Sequence, residues 1–162
     1  MGLYLAQVRG NKYADEIADY MDKLARVPDA IARILENGET VRQFARTMQD
    51  ATSVIYLGRH VGFPVALEGA LKLKEICYIH AEGFAAGELK HGPIALVDEG
   101  QPVLVIVPTP RRPELHGKVL ANIAEVRARG ARTIVVAEEG DTSVDEFAEV
   151  VFRVPPVPTL YA

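Results

Sequence analysis

A single cysteine, Cys77, stands in this chain of 162 residues, so no internal disulfide can form and a reducing, cytoplasmic setting fits. The same scarcity removes one catalytic reading. His80 and Glu82 have the His-x-Glu spacing of zinc deaminases, but that chemistry needs a later Cys-x-x-Cys pair. Long apolar runs are also lacking. None approaches the roughly 18 residues of a membrane span, and Met1 to Gln7 is too short for the apolar core of a signal peptide. Basic residues are not in excess: 18 Lys and Arg against 22 Asp and Glu give a net charge of -4, which argues against nucleic acid as a partner. The glycine pair in Gly58-Arg59-His60-Val61-Gly62 is neither a dinucleotide fingerprint nor a phosphate loop. Glu88-x-x-His91 lacks the second copy and the extra glutamates of a bridged metal pair, so neither metal nor cofactor is expected.

What remains is a composition 49% hydrophobic and 25% charged, that of a soluble globular α/β domain with a sizeable core. Met1 to Gly10 resembles the end of an element more than a beginning, which suggests a chain cut from something longer. Residues 12–26 carry apolar side chains at three- and four-residue steps (Tyr13, Ile17, Tyr20, Met21, Leu24) and predict an amphipathic helix. Val27-Pro28-Asp29 breaks it, with Asp29 the expected N-cap of a second helix reaching about Met48, interruptible at Asn37-Gly38. Runs apolar on both faces at 52–57, 102–107, 133–137 and 150–154 predict buried parallel strands, and a shorter one is expected around 79–84. Helices are expected at 64–78 and 114–129, with a turn at 145–148. Strands alternating with helices give a three-layer, flavodoxin-like α/β fold: a parallel sheet of about five strands flanked by helices, preceded by N-terminal helices. The expected organisation is a helical segment over 1–50 and the α/β domain over 51–162. Ligands in such folds bind beyond the carboxyl ends of the strands, here the loops at 58–63, 108–113 and 138–142.

Residues 64–96 hold most of the groups capable of proton chemistry: Glu68, Lys72, Glu75, His80, Glu82, Glu88 and His91. On a helical wheel Glu68, Lys72 and Glu75 fall in a stripe roughly 60° wide on a cylinder otherwise apolar or small, apart from Lys74, and this cylinder, with Leu67 and Leu71, is expected to be buried. This reads either as an ion-paired exposed edge or as a carboxylate and an ammonium held together at a cleft, their pKa values tuned by burial. His91, between Lys90 and Gly92-Pro93, is either a surface histidine or an aimed general acid. Cys77 falls on the apolar side and is expected to be inert core.

Tyr56-Leu-Gly-Arg-His60, Ala66-Leu-Glu-Gly-Ala-Leu-Lys-Leu-Lys-Glu-Ile-Cys-Tyr-Ile-His-Ala-Glu82 and Gly87-Glu-Leu-Lys-His-Gly-Pro-Ile-Ala-Leu96 closely resemble the isomerase part of the glutamine–fructose-6-phosphate aminotransferases, in particular the second of its two sugar isomerase (SIS) domains. The resemblance runs from near residue 3 to about residue 160. It implies an enzyme that makes glucosamine 6-phosphate from fructose 6-phosphate and glutamine, with ammonia supplied by an N-terminal glutaminase domain. Matched by position, Glu75 is implied as the base for C1–C2 proton transfer and Lys72 as its assistant. His91 is implied as the residue that opens the sugar ring, donated across a homodimer. Glu68, Tyr78, His80 and Glu82 receive no implied role. The implied partners are the glutaminase domain and the first SIS domain, whose Ser/Thr-rich loops hold the sugar phosphate. Here Ser53 and Ser143 are the only serines, and neither lies in such a cluster. The family's tail lysine has no match, and Tyr161-Ala162 departs from the family pattern. The chain by itself is therefore expected to be inactive and to bind fructose 6-phosphate weakly. The alternative expectation is a non-catalytic module that binds sugar phosphates or dimerises.

Overall fold

The computed structural model describes residues 1–36 and 38–158. These form two compact units, one of residues 1–36 with 157–158 and one of residues 38–156. In the first, three helices follow one another: α1 (Gly2–Val8), α2 (Ala14–Ala25) and α3 (Val27–Glu36). The start of α2 is set by Glu16, which accepts the Tyr13 backbone N–H at 2.9 Å and pairs with Lys12 at 2.6 Å. This satisfies a backbone donor that the first helical turn leaves open. Asp29 does not cap α3. The helix begins two residues earlier with Pro28 in its permitted first turn, so Asp29 lies inside that turn, where its charge complements the helix's positive end.

The second unit opens with α4 (Gly38–Thr47). It continues through β1 (Ser53–Gly58), α5 (Gly62–Cys77), β2 (His80–Ala85), two 3-10 turns (Ala86–His91 and Pro93–Leu96), β3 (Pro102–Ile106), α6 (Pro113–Arg127) and β4 (Arg132–Glu138). A 3-10 turn (Thr142–Phe147) and β5 (Val150–Val154) close it. Asn37 lies outside the described residues, with separate helices on either side of it. The five strands are all parallel in the order β2-β1-β3-β4-β5, and Ser53 is level with His80 and Ile55 with Val103. The order reverses between β1 and β3, the switch point of a doubly wound sheet.

Successive strand residues point to opposite faces, and each face has its own core. Ile55, Leu57, Val103, Val105 and Val135 pack with Val119, Ile123 and Val126 of α6 and with Ala86 and Leu89 of the first 3-10 turn. Val54, Tyr56 and Ala81 pack with Ala66 and Ala70 of α5 on the other face. The α5 contact is close because its inward residues are small. A Cβ at Gly69 would stand 2.8 Å from the Tyr56 ring, and one at Gly83 would stand 3.0 Å from the Leu67 backbone. Only Gly62, Ala66 and Ala70 of α5 are buried, which overturns the expectation of a buried cylinder. Val65, Leu67, Leu71 and Ile76 are exposed. Cys77 is also exposed rather than core, because α5 meets the sheet through its small side chains and ends at Tyr78 in a left-handed cap. Among the described residues no helix is long and apolar enough to cross a membrane.

Candidate active site

The charged stripe of α5 forms as its spacing predicts. The Lys72 ammonium donates to Glu75 Oε2 at 2.6 Å and lies 3.6 Å from Glu68 Oε1, with all three side chains half exposed. The Lys72 pKa is raised, first by its hydrogen bond to Glu75 and then by the charge of that carboxylate, with Glu68 adding to both. Burial acts in the opposite direction, so a carboxylate neighbour, not desolvation, tunes this ammonium. The stripe is flanked by exposed Val65, Leu67, Leu71 and Ile76, so carboxylate and ammonium stand within an apolar border.

His91 ends the first 3-10 turn. Leu89 and Ala86 of that turn are fully buried in the α6-side core, and His91 itself is exposed. Gly92 follows with φ +147, a conformation open in practice to glycine alone. Lys72 and Glu75 ride on α5, on the other face of the sheet. Among the described residues no hydrogen bond or ion pair joins His91 to Lys72 or Glu75. His80 and Glu82 form an exposed pair 3.7 Å apart on the edge strand β2.

The polar groups at the carboxyl end of β4 were not signalled by any motif. Arg111 grips Glu138 through two bonds of 2.8 and 2.9 Å. Buried deeper, Asp141 accepts from His116 Nε2 at 2.7 Å and from the Ser143 hydroxyl at 2.5 Å. Asp141 and His116 are only 5% and 7% exposed, so the cluster ties α6 to the turn after β4. Burial alone would push the Asp141 carboxyl up, but the hydrogen bonds from Ser143 and His116 outweigh it and hold it below its usual value. A depressed folded pKa means that the carboxylate stabilises the fold above its unfolded pKa of about 3.9 and loses this as pH falls through the folded value. In urea titrations, Asp141→Asn is expected to lose about 2 kcal/mol at pH 7, and the gap to wild type to close as pH falls below about 4. A gap unchanged down to about pH 3 would show that the charge contributes nothing.

An all-parallel sheet of this order with helices on both faces defines the class: a doubly wound α/β domain of flavodoxin-like topology. Within that class the chain belongs to the SIS domain family, whose family model matches residues 47–160. It is 65% identical to the glutamine–fructose-6-phosphate aminotransferase (isomerizing) of Corynebacterium efficiens over 99% of this chain and 26% of that protein. The enzyme of the same name from Streptomyces coelicolor is 59% identical over the same shares. The chain thus spans about a quarter of the length of the curated relatives it matches. In three dimensions it resembles the C-terminal domain of glucosamine-fructose-6-phosphate aminotransferase from Francisella tularensis. The TM-score is 0.88 at 35% identity, over 99% of this chain and 45% of that one.

Proposed function

We propose that this chain is the second SIS domain of a glutamine–fructose-6-phosphate aminotransferase and contributes to its conversion of fructose 6-phosphate and ammonia to glucosamine 6-phosphate. The observation that carries the reading is the Lys72–Glu75 pair, held at 2.6 Å on an exposed face with an apolar border. Ammonia condenses with the C2 carbonyl of the open-chain sugar and water leaves, giving an imine. Glu75 then takes a proton from C1 and delivers it to C2, general base and then general acid at adjacent carbons, which leaves the aldehyde at C1 and the amine at C2. Lys72 keeps its proton because Glu75 raises its pKa, so it acts as a fixed positive charge beside the C1–C2 unit that gains electron density in the enolamine-like state. Closure by a second surface over Leu67 and Leu71 would exclude water and strengthen that attraction.

His91 opens the sugar ring in the partner's site. The supporting geometry is its position on the opposite sheet face from Glu75, exposed and unpaired with either α5 residue. Subunit mixing tests this in the full-length enzyme. Dimers of His91→Ala and of Glu75→Gln are each expected to fall at least about 100-fold below wild type, with a measurable residual rate in His91→Ala. Random re-association makes half the dimers mixed, each with one intact site, and restores about a quarter of wild-type synthesis. No recovery in verified mixed dimers would mean that both residues act within one subunit.

A further inference from the structure

We propose that Glu125, in the last turn of α6, and Arg129, in the turn that follows the helix, are positioning residues that aim His91, an inference that rests on the assignment of ring opening to His91. Lys90 Nζ lies 2.8 Å from Glu125 Oε1. Arg129 Nη1 donates to the Ile94 carbonyl at 3.2 Å. The two tethers leave the last turn of α6 and the turn after it, four residues apart, and meet the chain immediately before His91 and three residues after it. Between them Gly92 holds φ +147, and a Cβ there would touch nothing within 4 Å. Packing at Gly92 therefore does not fix the direction of the imidazole, and the tethers on either side must.

Glu125 is itself oriented. Asn122, 7% exposed, donates Nδ2 to Glu125 Oε2 at 3.4 Å although its own Oδ1 is buried without a partner. Leu89 and Val97, both buried, anchor the segment beneath. The Lys90 end of the tether is 66% exposed against 26% for Glu125, and a pair open to solvent at one end adds little to stability. Geometry is therefore what they supply, and a small misplacement of a catalytic group is costly in rate.

The test uses the full-length enzyme. Glu125→Gln and Arg129→Met are each expected to lower kcat for synthesis about tenfold with KM within about twofold. The double swap Lys90→Glu with Glu125→Lys should return kcat to within about twofold of wild type. In a His91→Ala background neither α6 variant should cost anything further, because residues acting through one group are non-additive. Full kcat in both α6 variants, or equal losses with and without His91, overturns the positioning role while leaving ring opening by His91 standing. Full kcat in His91→Ala alone overturns both. If Glu125→Gln fails to fold, Lys90→Met removes the same tether from its exposed end. It should lower kcat by the same factor, and full kcat there counts against the positioning role.

Discussion

Glu75→Gln in the full-length aminotransferase is expected to abolish amino-sugar synthesis and leave glutamine hydrolysis intact. The amide has the size of the carboxylate, and its oxygen still accepts from Lys72, whose ammonium sits 2.6 Å away. What disappears is the ability to take a proton from carbon, a contribution of roughly 10²–10⁴-fold in rate. The half-exposed position makes an unfolding artefact easy to recognise, because the thermal midpoint should not move. Coupled assays for glutamate and for glucosamine 6-phosphate separate the two activities. Retained synthesis would end the assignment of Glu75.

Gly58→Ala is expected to be the most destructive single-methyl change in the chain. Gly58 ends β1, and the first turn of α5 folds back directly onto it. An added Cβ would lie 2.0 Å from the Gly62 carbonyl oxygen, 2.3 Å from its carbon and 2.7 Å from the Phe63 nitrogen. These are backbone atoms at the switch point and no flexible side chain can move aside, so the strand and helix must separate. A loss above about 4 kcal/mol, seen as aggregation or a collapsed urea midpoint, follows from such overpacking. Gly117→Ala is the matched control. It lies in α6 with nothing within 4 Å of the added carbon, and it should gain about 0.5–1 kcal/mol.

The central strands were legible because β1, β3 and β4 are covered on both sides and so read as continuous apolar runs. Strand β2 was faint, since His80-Ala-Glu-Gly-Phe-Ala85 is an edge strand with half its polar side chains in solvent. The stripe Glu68–Lys72–Glu75 followed from helical spacing alone, but which side of α5 faces the sheet did not. Apolarity pointed to Leu67 and Leu71 as core, whereas packing distance selected Ala66, Gly69 and Ala70, because a helix lying close on Tyr56 has no room for leucine there, and Leu67 packs only over Gly83 of the edge strand. The His116–Asp141 pair joins residues 25 apart through a crossover, a proximity that no local pattern encodes. The chemistry proposed for Glu75, Lys72 and His91 rests on the resemblance of their flanking runs. Spacing alone left a surface ion pair equally open.

The exposed thiol at the end of α5 has a practical consequence. Cys77 is the chain's only cysteine and stands two residues beyond Glu75. A maleimide fluorophore or nitroxide label would therefore attach at one place without prior mutagenesis. Placed there, it would report in real time whether another surface settles over the Glu75 end of the helix, through changes in emission or line shape.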